Sequence, residues 1–160
     1  GIGGLAGTLF GGWSADYMTK KTGNKNWYIW IPFVSTIIAI PFALNTFLLM
    51  PDGYIAVYSY FIPVFFGGWY LGPCIASTHF LVGIRMRAMA SAVLFFVLNL
   101  IGLGFGPMLT GFVSDYLTPE YGVEGLRYAM SITVLFNIWC AMHYYWCLKT
   151  IKQDFDQAPA

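Results

Sequence analysis

Apolar residues run through this chain in long unbroken blocks, separated by short connections that hold most of the charge. The blocks cover residues 1–18, 27–50, 54–82, 88–117 and 126–148. At about 1.5 Å of rise per residue, roughly 20 helical residues cross a hydrocarbon core of about 30 Å, so the last four have length to spare for tilt. Each block is apolar on all faces, without the two-residue alternation of a lipid-facing barrel strand. The pattern predicts an all-α, polytopic transmembrane helical bundle of five spans over residues 1–153, with a tail at 154–160. Pro32, Pro41, Pro63, Pro73 and Pro107 fall inside the blocks. In a membrane, neighbouring helices re-satisfy the carbonyls that proline frees, so kinks are predicted there.

Small residues recur every four positions in three blocks: Gly3, Gly7, Gly11 and Ala15; Gly68, Gly72 and Ala76; Gly102, Gly106, Thr110 and Ser114. That spacing lines one side of a helix and lets a second backbone approach closely. Gly72 with Pro73, and Gly106 and Gly111 around Pro107, also suit helices that bend during a conformational cycle. A static bundle would use the same stripes for packing alone.

Composition supports lipid as the solvent. Charged residues are 9% of the chain and hydrophobic ones 58%, against roughly a quarter charged in soluble domains. A net charge of +1 supplies no basic field, so nucleic acid is not an expected partner. Cys74, Cys140 and Cys147 lie in apolar blocks without CxxC spacing, which suits core positions better than a disulfide or zinc framework. No GxSxG, HExxH or phosphate-cradling loop is present, so neither an enzyme nor a cofactor or metal is expected. The chain opens Gly-Ile-Gly inside an apolar run and reads as the C-terminal part of something longer.

The positions of the cations set an orientation. Lys20, Lys21 and Lys25 lie in the first connection, Arg85 and Arg87 in the third, and Lys149 and Lys152 beyond the fifth span. The second and fourth connections hold only Arg127, among Asp52, Asp115, Glu120 and Glu124. The positive-inside rule makes the lysine-rich side cytoplasmic and leaves the C-terminus there. Trp27, Tyr28, Trp30, Tyr54, Tyr58 and Tyr145 gather near span ends as interfacial anchors. Trp69 and Tyr70 lie in mid-span instead.

Gly12-x-x-x-Asp16, followed by Lys20, Lys21, Gly23 and Lys25, resembles the signature loop of major facilitator superfamily transporters, in the looser copy found after the eighth helix. Its spacing between Asp16 and Gly23 is wider than the strict form. GLGFGPMLTG at 102–111 is similar to the Gly-x-x-x-Gly-Pro-x-x-x-Gly pattern of a gating helix in that superfamily. Arg87, Ala88, Ala90 and Ala92 entering this span, with Gly111, Ser114 and Asp115 leaving it, resemble the spinster-like branch.

The resemblance implies helices eight to twelve, a partial second half of a twelve-helix carrier fold, with the N-terminal helices of the same chain as packing partners. It implies a secondary active, alternating-access carrier of a small organic or amphipathic, lipid-like solute in a bacterial inner (cell) membrane. A structural or channel-forming helical subunit is the alternative. Asp16 would then close the cytoplasmic side against a helix N-terminus of the other half. Lys20, Lys21, Arg85 and Arg87 would either add breakable contacts there or only fix topology. Candidates for the substrate path are Tyr60, Trp69, Tyr70, Thr78, His79 and Asn99. Asn99 heads them because an amide inside an apolar run must meet water or a partner, including one on a neighbouring helix.

Overall fold

The computed structural model describes residues 1–50 and 53–158, and among these every regular element is helical. Helix α1 spans Ile2–Thr22 and α2 spans Trp27–Leu49. The next stretch is divided into α3 (Gly53–Ser59), α4 (Phe61–Gly67), a 3-10 turn at Gly68–Tyr70, and α5 (Leu71–Phe80). After a 3-10 turn at Ile84–Met86 come α6 (Arg87–Val97), a π-helical segment at Leu98–Phe105, and α7 (Gly106–Tyr121). A last 3-10 turn at Gly122–Glu124 leads into α8 (Gly125–Gln157). Asp52, placed by the sequence in the second connection, lies outside the described residues.

The irregularities follow the prolines. A proline has no N–H for the carbonyl four residues back, and its ring crowds that carbonyl. For Pro63 this is Ser59, where α3 ends. For Pro73 it is Trp69, inside the 3-10 turn. For Pro107 it is Leu103, inside the π-helical segment. Pro32 and Pro41, by contrast, are accommodated within continuous α2.

The connections have local causes. Gly23 closes α1 in the left-handed region at φ 71°, and its N–H bonds to the Thr19 carbonyl at 2.8 Å, the usual glycine ending of a helix. Gly122 turns the chain at φ 57° and ψ −132°, a backbone that a Cβ would strain, and α7 and α8 then pack against each other.

Among the described residues, three stretches are long and apolar enough to cross a membrane: Trp27–Leu49, Gly53–Phe80 and Ile84–Gln157. The third has 74 residues, far more than the roughly 20 of one crossing, and it folds back at Gly122. Helix α1 is 21 residues long but is not apolar enough to join them; five glycines, three threonines, two lysines and Asp16 dilute it.

Helix α1 packs on α4, the following turn and α5. Gly3, Gly7, Gly11 and Ala15 are all buried on that side. A Cβ at Gly7 would fall into the Phe65 carbonyl, and one at Gly11 into the carbonyl of Trp69, the group that Pro73 cannot bond. From the other side, a Cβ at Gly68 would lie 2.8 Å from the Gly4 carbonyl oxygen, and one at Gly72 3.2 Å from the Gly12 Cα. Backbones this close gain dispersion contacts and Cα–H···O contacts in place of side-chain packing. The third stripe behaves differently: a Cβ at Gly102, Gly106 or Gly111 would meet nothing within 4 Å. Among the described residues, those three glycines meet no second helix.

Helix α2 runs along α8. Ile29, Ile151 and Phe155 form a buried cluster at the lysine-bearing end, with Phe80 and Leu148 against it. The helix therefore continues beyond residue 153, where the sequence pattern ends the bundle, because Phe155 at 7% exposure supplies an apolar anchor after the polar residues begin.

Candidate functional site

At the lysine-bearing end, the α1–α2 connection is braced by side chains. The Tyr28 hydroxyl donates to Oδ1 of Asp16 at 2.6 Å. The Trp27 indole N–H donates to Thr22 Oγ1 at 2.9 Å, and the Asn26 N–H to Asn24 Oδ1 at 2.9 Å. Lys25 lies 5.1 Å from the centroid of the Phe80 ring, a cation–π distance that ties the loop to the end of α5. Lys20 and Lys21 occupy the last turn of α1, where a positive charge complements the helix dipole. Arg85 and Arg87 are exposed at the start of α6, where the same dipole opposes them, so the helix itself gives no reason for cations there.

Between α5 and α6, His79 Nε2 and Ser91 Oγ are 2.6 Å apart. This bond joins two helices across the turn that carries Arg85. His79 thus sits beside the cationic connection rather than deep in the span.

The mid-span candidates divide. Tyr70 faces a cavity of about 290 Å³ with Thr36, Cys74, Asn137, Cys140 and Tyr144; within it Tyr144 Oη and Cys74 Sγ lie 3.7 Å apart. Tyr60 faces a second cavity of about 230 Å³ with Thr110, Thr133 and Asn137. There the hydroxyls of Thr110 and Thr133 are 3.0 Å apart and bridge α7 to α8. Trp69 packs against Phe10 at 4.8 Å between centroids and Phe66 at 5.1 Å. Its buried indole N–H has no hydrogen-bond partner among the described residues. Thr78 donates to the Cys74 carbonyl at 2.8 Å, within its own helix.

Asn99 stands apart from these. Its amide donates to the Phe95 carbonyl at 2.7 Å, one turn back on the same strand of helix, and the residue is exposed on the π-helical segment. Neither cavity includes it. Asn137 lines both cavities and Tyr144 the first of them, and neither is among the path candidates drawn from the sequence. An amide deep in an apolar run is the same signal at Asn137 as at Asn99.

The opposite end is organised by Arg127. Its Nε donates to the Phe47 carbonyl at 2.9 Å, and one terminal nitrogen lies 3.2 Å from the Met50 carbonyl and 3.4 Å from that of Leu48. The other terminal nitrogen pairs with Glu124 at 2.5 Å. These carbonyls close α2 and have no intrahelical donor. A planar guanidinium with several donors, placed at the negative end of a helix, satisfies them together. The exceptional cation of the sequence pattern is a helix cap.

No family model matches the chain. It is 30% identical over 131 residues to an MFS-type efflux pump of Mycolicibacterium smegmatis, covering 82% of this chain and 30% of that protein. Its fold superposes with a TM-score of 0.82 and 27% identity on the crystal structure of a bacterial homologue of the human lysosomal transporter Spinster, in an inward-facing and unoccupied conformation. That match covers 95% of this chain and 38% of the other, so the chain spans about a third of the length of these relatives. In sequence and in fold, along nearly its whole length, this all-helical membrane chain resembles part of a major facilitator superfamily transporter of the spinster-like branch.

Proposed function

We propose that the chain is the part of a secondary active carrier corresponding to helices eight to twelve, and that the whole protein moves a small organic or amphipathic solute by alternating access. The observation that carries this reading is the proline-linked irregularity of the two stretches α3–α5 and α6–α7, combined with the likeness to the inward-facing transporter. A channel scaffold needs no such bends, whereas a carrier must close one side of a central path while opening the other. Asp16, held in place by Tyr28, is the cytoplasmic latch for the N-terminal half, with Lys20, Lys21, Arg85 and Arg87 lining the same side. Tyr60, Trp69 and Tyr70 supply polar and aromatic contacts along the path; His79 lies at its cytoplasmic mouth. The C-terminus lies in the cytoplasm of a bacterial cell, by the distribution of cations.

Reconstitution of the intact protein into liposomes tests the proposal. Gradient-driven uptake or exchange of at least one solute is expected from a panel of lysolipids, organic anions, sugars and hydrophobic drugs. No movement of any of them, in either direction and with either a proton or a sodium gradient, would overturn it.

A further inference from the structure

A groove of about 560 Å³ runs between α2 and α8 on the outside of the bundle, lined by Phe33, Ile37, Ile40, Ile138, Met142 and Tyr145. Ala141, buried at 7% exposure, forms part of its floor. From Phe33 to Ile40, and from Ile138 to Tyr145 on the antiparallel helix, the groove is seven residues deep, or about 10 Å at the helical rise. One leaflet contributes roughly half of a 30 Å hydrocarbon core, so the groove reaches through most of a single leaflet.

Its charge is confined to one end. Lys149 is exposed and its Nζ lies 4.8 Å from the centroid of the Tyr145 ring, one turn beyond the groove at the lysine-bearing end. Tyr145 in turn meets Phe33 across the groove at 6.3 Å between centroids. A cation held on an aromatic rim above an apolar channel of leaflet depth matches one chemistry: a phosphate at the headgroup level with a hydrocarbon chain below it.

We propose that this groove holds one acyl chain of an anionic bilayer phospholipid, with the headgroup phosphate against Lys149. The proposal rests on the carrier reading above, taken with this outer face of α2 and α8 turned to lipid, and the groove is separate from the cavities facing Tyr60 and Tyr70.

The test is native mass spectrometry of the delipidated intact protein, titrated with phosphatidylglycerol and with phosphatidylcholine of the same chains. Because transport is not read, failure here is distinguishable from failure of the carrier reading. One phosphatidylglycerol is expected to bind at least fivefold tighter than phosphatidylcholine. Lys149→Gln should abolish that preference, while Lys152→Gln should keep it. Ile138→Trp, a change at a half-exposed position that fills the groove, should weaken both lipids at least fivefold. Equal affinities in the unaltered protein, a preference surviving Lys149→Gln, unchanged binding by Ile138→Trp, or a dimer that Ile138→Trp dissociates would each overturn the proposal.

Discussion

Tyr28 and Asp16 are joined by a 2.6 Å hydrogen bond that spans the last turn of α1, with Lys20 and Lys21, and the loop that carries Lys25. The bond fixes one oxygen of an exposed carboxylate at the lysine-bearing end; in the carrier reading, Asp16 is thereby aimed before its partner arrives. Removing the hydroxyl with Tyr28→Phe should cost about 1.5 kcal/mol, the lower end for a bond to a charged group, since the carboxylate is exposed. Thermal unfolding in detergent would register this as a small fall in Tm. Asp16→Asn keeps the bond's geometry but removes the charge. It should leave Tm within a degree or two and slow transport at least tenfold; unchanged transport would remove Asp16 from the latch.

The α1–α4 crossing predicts a different balance. A methyl at Gly11 has no room against the Trp69 backbone, so Gly11→Ala should destabilise the bundle by about 1–3 kcal/mol, the usual cost of overpacking. Gly102→Ala meets open space and should leave the stability of this half unchanged. A loss of transport in Gly102→Ala without a loss of Tm would place that face against the rest of the protein.

Pro107 tests the bend. With Pro107→Ala the Leu103 carbonyl regains its donor, and the π-helical segment can tighten to an ordinary helix. Unfolding temperature should hold or rise, while the transport rate falls severalfold. A faster carrier would show that the bend does not serve the cycle.

Arg127 closes α2 through contacts to Phe47, Leu48 and Met50. Arg127→Leu leaves these carbonyls without a donor and should cost about 2 kcal/mol, as charged hydrogen bonds typically do. Arg127→Lys should recover less than half, because a single ammonium cannot replace the guanidinium's spread of donors. Comparable stability of the lysine and arginine forms would argue against capping.

Orientation is tested by labelling. Val123 is 92% exposed at the turn opposite the lysine-bearing end, so Val123→Cys and Lys21→Cys should react with an impermeant thiol reagent from opposite sides of the membrane, in a background lacking Cys74, Cys140 and Cys147. Reaction from the same side would refute the topology.

Much of the architecture was legible because it depends on bulk quantities. Apolar block length, the four-residue glycine period and the prolines are local, and they announce helices throughout, close crossings for two of the three stripes, and irregular backbone at three of the five prolines. Pro63, Pro73 and Pro107 illustrate this, each carrying an irregularity at its fourth preceding residue. What stayed hidden depends on which faces meet. Asn99 and Asn137 are equivalent as sequence signals and both donate to a carbonyl of their own helix, yet Asn99 is exposed on the π-helical segment while Asn137 lines the cavities of Tyr60 and Tyr70. The use of Arg127 was equally unreadable, since the carbonyls it caps lie about 80 residues away, and backbone carbonyls carry no residue signature.

The glycine-lined crossing of α1 also bears on how the bundle is built. A helix less apolar than the three long stretches, yet shaped to fit the backbone of α4, depends on that neighbour for its place in the bundle. During synthesis, α1 emerges before the segment that secures it. The close packing of α1 is therefore completed only when the third stretch has followed to receive it.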